Sequence, residues 1–385
     1  MAVLGGCHQP ADRPQAAAPP NAAADTAKPP KAGVAVYAGD AMVRGYHPRS
    51  SLVVRQTPLT TARFPVIDIH CHWTLDADPV ALLAAMDDRN VRVAVNLSGG
   101  WGAQLDRMLA RFTAVAPDRL LIFGNIDFSR ISEPDFAATT SRWLETVQAQ
   151  GVRGLKVFKE LGLRVRDAQG RIVPLDDPRL DPIWETCGRL GLPVLWHTAD
   201  PAPFFEPVDE RNERWMQLQR HPDWSFYGPP FPDRKALFDQ RARVMRRHGD
   251  TTFICAHVAS HASDLAAAGR LLDQHPNAYL DISGRVGELG RQPFTARRFF
   301  LQYQDRILFG TDRYPGRAEQ PRYRIYYRFL ETDDEYFDYY DHDFPPAGEW
   351  KIYGVGLPDE VLRKVYYANA QRLLAGIVIE PERGP

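Results

Sequence analysis

Nine residues carry the first chemical signal: Phe64-Pro65-Val66-Ile67-Asp68-Ile69-His70-Cys71-His72. Val66 to Ile69 reads as a short buried strand that runs directly into two histidines one residue apart. Side chains alternate across a strand, so Asp68, His70 and His72 are expected on one face, with Ile67, Ile69 and Cys71 on the other. Two neutral imidazoles on one face can grip a single divalent metal ion. A pair of histidines that merely finishes a strand looks the same in isolation. The two readings separate downstream, where His197, His257 and Asp312 each stand at the end of a similar apolar run.

The elements that must position these residues alternate from Phe64 onward. Strands are expected at Val66–Ile69, Val91–Leu97, Leu120–Ile126, Val152–Phe158, Leu192–His197, Thr252–His257, Ala278–Ile282 and Ile307–Gly310. Helical text stands between them, including Pro79–Met86 behind an Asp78 cap, Phe136–Val147, Leu180–Leu190, Arg234–Arg247, His261–Leu272 and Phe294–Tyr303. More helical text, Pro358–Tyr366 and Asn369–Leu374, follows the last strand. Strands alternating with helices imply parallel pairing with right-handed crossovers. Eight such units argue for a closed (β/α)8 barrel of the α/β class. His70, His72, Lys156, His197, His257 and Asp312 then converge on the carboxyl-end rim, where barrel enzymes build their sites. Buried strands are otherwise almost wholly apolar, so ionisable groups at one strand end after another are hard to explain by packing.

Two stretches exceed ordinary βα loops, and both follow strands at that rim. Thr198–Asp233 follows the fifth strand and carries Phe204-Phe205, Trp215, Trp224 and Phe226-Tyr227. Arg313–Leu357 follows the eighth and carries Tyr326-Tyr327, Tyr336-Phe337 and Tyr339-Tyr340. Their aromatic content argues against disorder, and they read as walls or lids of a pocket.

Taken together, Asp68-Ile-His70-Cys-His72, Gly154-Leu-Lys156, His197-Thr-Ala-Asp, Ala256-His257 and Leu308-Phe-Gly-Thr-Asp312 resemble the amidohydrolase superfamily. Within it, the chain is similar to the amidohydrolase-related (amidohydrolase 2) family over roughly residues 64–376. The resemblance implies a TIM-type barrel with a divalent metal, most often Zn²⁺, held by His70, His72, His197 and Asp312. It gives His257 the part of base, electrophile or ligand of a second metal. Lys156 enters the metal set only if the centre is binuclear and the lysine carbamylated; one metal is the expectation here. Asp312, touching the attacking water, would carry its proton to the leaving group. Asp68 either orients one histidine or is a buried structural carboxylate.

The implied reaction is metal-assisted hydrolysis of an ester, lactone or amide of a small molecule. Its competitor is non-oxidative decarboxylation of a small carboxylic acid, for which Arg285, Arg291 and Arg313 on rim loops offer carboxylate partners, Arg291 being the one best read as solvated. A third reading keeps the metal as a staple and gives the aromatic loops a binding role.

The 385 residues carry 47 basic and 48 acidic side chains, a balance that asks for neither nucleic acid nor an anionic surface. No apolar run approaches the roughly 18 residues that span a bilayer. Residues 1–33 read as an Ala/Pro-rich disordered tether, 34–63 as a leader packing on the barrel, and 377–385 as a tail. Leu4-Gly5-Gly6-Cys7 resembles the lipobox of bacterial lipoproteins, although only six residues precede the cysteine. Two expectations follow for location: an exported, periplasmic protein tethered through a Cys7 lipid, or a cytoplasmic one. The remaining cysteines, Cys71, Cys187 and Cys255, read as small buried hydrophobes. Neither a monomer nor a homo-oligomer is selected.

Overall fold

The computed structural model describes residues 50–341 and 346–379. The tether, Cys7, the leader up to residue 49 and the end of the tail lie outside them. The chain divides after Val54 into two compact units. Of the first, only residues 50–54 are described, without helix or strand. The second unit, Arg55–Pro385, contains everything that follows.

Its strands are β1 (Val66–Cys71), β2 (Val91–Asn96), β3 (Leu120–Ile122), β4 (Gly124–Asn125), β5 (Leu155–Val157), β6 (Val194–Trp196), β7 (Phe253–Cys255), β8 (Ala278–Asp281) and β9 (Ile307–Leu308). All paired strands run parallel, in the orders β1-β2-β3 and β4 through β9. β3 and β4 are one barrel strand interrupted at Phe123. There the chain passes from bonding Asn96 O to bonding Gly154 O, through Phe123 N and Gly124 N. The Phe123 ring lies where any Cβ on Gly154 would stand, 2.3 Å from that position, so residue 154 has to be glycine. The last strand meets the first through Ile69 N to Phe309 O (3.1 Å), Asp312 N to His70 O (2.8 Å) and His72 N to Arg313 O (3.0 Å). Those bonds close eight parallel strands into a (β/α)8 barrel.

Two apolar sets fill it. Ile67, Ile69, Val93, Val95, Leu121, Phe123, Leu195, Ile254 and Leu308 pack together inside the ring, with Leu374, Ile377 and Ile379 against them. Val66, Cys71, Val91, Leu155, Val194 and Phe253 belong to the larger layer between strands and helices. The alternation expected for β1 therefore breaks. Ile67 and Ile69 face inward but Cys71 faces outward, because the register against β2 shifts between Asp68 and Cys71.

Helices α1 (Pro79–Asp87), α2 (Gly102–Met108), α3 (Phe136–Ala149), α4 (Asp181–Leu190), α5 (Trp215–Arg220), α6 (Arg234–Arg247), α7 (Leu265–Gln274), α8 (Pro293–Gln302) and α9 (Gln320–Glu331) follow in order. The Asp78 side chain accepts from Val80 N with Pro79 in the first turn, as the sequence pattern implies. α7 begins four residues later than expected, at Leu265, because residues 261–263 form a turn and the Asp264 side chain caps the helix at Ala267 N. Among the described residues, no helix is long and apolar enough to cross a membrane. Cys71, Cys187 and Cys255 are buried free thiols.

The insertion after the eighth barrel strand departs from the lid expectation. It contains α9, and Tyr323, Tyr326 and Tyr327 are buried there against Phe309. The insertion after β6 holds α5 and two short 3₁₀ turns. Phe205, Phe226 and Phe231 pack together in it, with ring centroids 5.1–5.5 Å apart along the row.

Just past α9, Asp334 anchors the segment that precedes β1. Its carboxylate accepts from Thr57 N (2.7 Å), Thr57 Oγ1 (2.7 Å), Arg55 Nε (3.0 Å) and Arg328 Nε (2.7 Å). Burial alone would raise this carboxyl, but those donors hold it at about 2. A carboxyl depressed below its unfolded value of about 3.9 stabilises the fold above that pH and loses the contribution as pH falls toward 2. The expected magnitude is about 2 kcal/mol. Urea unfolding of wild type and Asp334→Asn should therefore differ at pH 7 and converge by pH 2; equal stabilities at pH 7 would contradict the assignment.

Candidate metal centre

His70 and His72 reach the carboxyl-end rim because β1 loses its register just before them. The same shift leaves Asp68 behind. Its carboxylate turns outward and accepts from Tyr323 OH (2.7 Å), Thr311 Oγ1 (2.7 Å), Thr311 N (3.2 Å) and His70 N (3.1 Å). Asp68 thus does not share the histidine face and touches neither imidazole ring in these bonds. Of its two expected roles, the structural one stands: it ties β1 to the loop carrying Asp312 and to α9. Burial raises its pKa against these donors.

Asp312 sits at a φ of 61°, an uncommon conformation for a residue other than glycine. Its Oδ1 lies 3.3 Å from His70 Nε2 and 3.2 Å from His72 Nε2. The three form a group whose candidate ligand atoms all lie within 4.8 Å of one another. A second such group joins His70, His257 and Asp281. His197 joins neither group. Its ring stands 4.3 Å from that of His257, and its buried Nε2 faces Asp200 Oδ1 at 3.5 Å, too far for a hydrogen bond of normal strength. Lys156 is buried, with Nζ 3.4 Å from His70 Nε2 and 5.2 Å above the Phe158 ring.

Hydrogen-bond chemistry assigns two of the ring protons. His70 Nδ1 lies 2.9 Å from Asp281 Oδ2, and a carboxylate only accepts, so His70 carries its proton on Nδ1. His257 Nδ1 lies 2.7 Å from the Ser283 carbonyl oxygen, which also only accepts. In the neutral rings, both Nε2 atoms therefore carry lone pairs, that of His70 meeting Lys156 Nζ only at the long distance of 3.4 Å. His70 Nε2 then faces Asp312 Oδ1, acceptor against acceptor. Such a pair favours a cation or a proton between its members; Lys156 Nζ approaches one of them only at 3.4 Å, and the donor set of imidazole and carboxylate fits a divalent metal. His72 Nδ1 meets Ser98 Oγ at 2.7 Å, and a hydroxyl fits either tautomer.

The electrostatics favour a neutral ring at three of the four histidines. Burial lowers His72 and His197 to about 4 each, although Asp312 and Asp200 pull the other way. Burial, His197 and Arg285 push His257 well below the ordinary imidazole value. His70 runs opposite: burial and Lys156 lower it, but Asp281 and Asp312 prevail and raise it. Burial raises Asp312, yet the neighbouring histidines outweigh that and hold it well below the usual carboxylate range.

Several participants escape the sequence reading. Asp281 and Ser283 close the seventh barrel strand, and an aspartate ending an apolar run is the same signal that picked out Asp312. Lys159 is another: β5 stops at Val157, and Lys159 Nζ pairs with Asp200 Oδ2 at 2.5 Å. His257 is likewise not on a strand. β7 ends at Cys255, and His257, Val258, Ala259 and Ser260 all take positive φ of 54–61°. Arg291 pairs with Glu213 and lies 4.1 Å over the Trp350 ring.

A closed parallel barrel with histidines and an aspartate gathered at its carboxyl-end rim defines the class, a barrel enzyme. The family follows from the sequence: the profile described as Amidohydrolase matches residues 61–375, and the chain belongs to the amidohydrolase family, whose members are metal-dependent. No curated protein matches significantly. Among solved structures, the chain is similar to an uncharacterised TIM-barrel protein from Bordetella bronchiseptica (17% identity, 80% of this chain and 98% of that one, TM-score 0.49). It is also similar to a 2,6-dihydroxybenzoate decarboxylase complexed with 2,6-dihydroxybenzoate (17%, 80% and 99%, 0.48). A third is the dihydroxybenzoic acid decarboxylase from Polaromonas sp. JS666 with bound manganese (14%, 80% and 96%, 0.48).

The outward Asp68 yields a direct expectation. Asp68→Ala leaves the buried Tyr323 and Thr311 donors without their acceptor, at a cost of about 3 kcal/mol. Chemical denaturation of the variant measures it, and a loss below about 0.5 kcal/mol would remove the structural role.

Proposed function

We propose that this enzyme is a metal-dependent hydrolase that adds water across an ester, lactone or amide bond of a small molecule. One observation carries the reading: two acceptor atoms, His70 Nε2 and Asp312 Oδ1, face each other beside His72 at the rim. His70, His72 and Asp312 would hold one divalent ion, with His197, whose buried Nε2 has no hydrogen bond, as the fourth donor. Imidazole and carboxylate donors suit Zn²⁺. A single ion is favoured because the second group depends on Asp281, whose oxygens already accept four hydrogen bonds. Lys156 then remains an ammonium beside His70 rather than a carbamylated bridge.

When bound, such an ion polarises a substrate carbonyl and lowers the pKa of a water molecule from about 15.7 toward about 7. The remaining work falls to the chain. Asp312 takes the proton of the attacking water on its carboxylate and returns it to the leaving group. His257, neutral and held with Nδ1–H on the Ser283 carbonyl, presents Nε2 as a base rather than as an electrophile. Burial of these groups strengthens each charge interaction by excluding water.

Decarboxylation of a small carboxylic acid is the second reading, and one observation favours it. Arg285 has a buried Nε without a hydrogen-bond partner, and its charge acts on His257. A substrate carboxylate would complete that guanidinium. Acid release from an ester, lactone or amide panel supports hydrolysis; carbon dioxide release from carboxylic acids replaces it with the second reading.

Two variants test the roles. His70→Ala combined with His72→Ala should lose the metal while the barrel stays folded, and full occupancy by elemental analysis would sink the ligand set. His257→Asn should keep the metal and lower kcat by roughly 10²–10⁴-fold, the usual worth of a positioned acid–base group. Unchanged turnover would make His257 structural.

A further inference from the structure

Asp281 ends β8 with its side chain fully buried, and it hydrogen-bonds both His70 and His257. Oδ2 accepts from His70 Nδ1 at 2.9 Å. Oδ1 accepts from His257 N at 2.9 Å, Ser283 N at 3.0 Å and Ser283 Oγ at 2.5 Å. Three of the four donors crowd Oδ1 and the fourth, His70 Nδ1, takes a lone pair of Oδ2, so Asp281 is engaged chiefly with the protein. Ser283 Oγ sits between the rings as well, 2.9 Å from His70 Nδ1 and 3.0 Å from His257 Nδ1.

Each bond fixes something specific. The His70 bond forces the proton onto Nδ1 and points the bare Nε2 at Asp312. The bond from His257 N is available only because that residue is left-handed, at φ 60° and ψ 45°. The bonds from Ser283 N and Oγ fold residues 281–283 so that the Ser283 carbonyl meets His257 Nδ1. One side chain thereby sets the face that each of two histidines turns to the site.

We propose that Asp281 is a positioning residue that imposes the Nδ1–H tautomer on His70 and, through Ser283, the same tautomer on His257. Its purpose rests on the reading of His70 as a metal ligand. Asp281→Asn separates the two halves. The amide oxygen keeps the backbone donors of His257 and Ser283, while the amide NH₂ turns toward His70. His70 Nδ1 must then accept, and its proton moves to Nε2, into the position where a ligand lone pair is required.

The test uses full-length protein labelled with ¹⁵N-histidine, freed of metal and brought to alkaline pH so that the rings are neutral. Ring ¹⁵N–¹H correlation spectra report each tautomer without any assay of activity. Wild type is expected to show Nδ1–H for both His70 and His257. In Asp281→Asn, His70 should switch to Nε2–H while His257 keeps Nδ1–H. Competition with a chelator for Zn²⁺ should show affinity lowered about 10–100-fold, as for loss of a carboxylate behind a ligand histidine. A wild-type His70 in the Nε2–H form overturns the proposal, whether or not the variant folds. So does a variant in which His70 keeps Nδ1–H or Zn²⁺ affinity is unchanged. If His70 switches but wild type itself does not bind Zn²⁺, the positioning by Asp281 stands and the metal reading falls.

Discussion

Everything at the site depends on the seam where the last barrel strand meets the first. Three backbone hydrogen bonds, from Ile69 to Phe309, from Asp312 to His70 and from His72 to Arg313, join residues some 240 positions apart in the chain. The same bonds that close the barrel therefore set the distance between Asp312 and the two histidines. Asp68 reinforces the seam from outside by accepting from both Thr311 and α9. A ring closed through backbone bonds leaves little freedom for the side chains at its edge, which is the condition for pre-organised donors.

Burial supplies the second constraint. Asp68, Asp281 and Asp312 are largely removed from water, and a buried carboxylate is tolerated only when hydrogen bonds or opposite charges replace its hydration. Asp68 and Asp281 each meet four hydrogen-bond donors within the protein, whereas Asp312 faces imidazoles of which at least His70, with its proton on Nδ1, presents a lone pair rather than an N–H. That contrast separates Asp68 and Asp281, satisfied within the protein, from Asp312, the one for which a metal-binding and catalytic role is proposed.

Much of this was legible because buried strands tolerate few ionisable groups. His70, His72, Lys156, His197, His257 and Asp312 stood out by breaking apolar runs, and the structure gathers them at one end of the barrel. The side of Asp68 was not legible, since it follows from the register of β1 against β2, a relation between segments rather than within one. The left-handed turn at His257 was hidden for the same reason: no glycine announces it, and the contacts that hold it come from α6, β8 and the loop after β6. α9 is a different case. Tyr323, Tyr326, Tyr327 and Leu330 are spaced as one helical stripe, so its signal was present and was obscured by reading the segment as an aromatic loop. Asp281 was equally open to the rule that found Asp312.

The turn at residues 257–260 has an evolutionary reading as well. Left-handed backbone costs L-residues roughly 1–2 kcal/mol each, and glycine far less. Here four such residues are held by Arg241 donating to Ala259 O, Arg234 donating to Ser260 O, and Ser260 Oγ bonding Thr198 O. Val258 and Ala259 are each a single nucleotide from a glycine codon, so relief of the strain lies one mutational step away at two adjacent positions. A glycine there would also free the backbone that aims His257. Both side chains, Val258 and Ala259, are buried in the core, so the backbone strain relieved by glycine would be offset by lost apolar contacts, and packing holds the left-handed turn that aims His257.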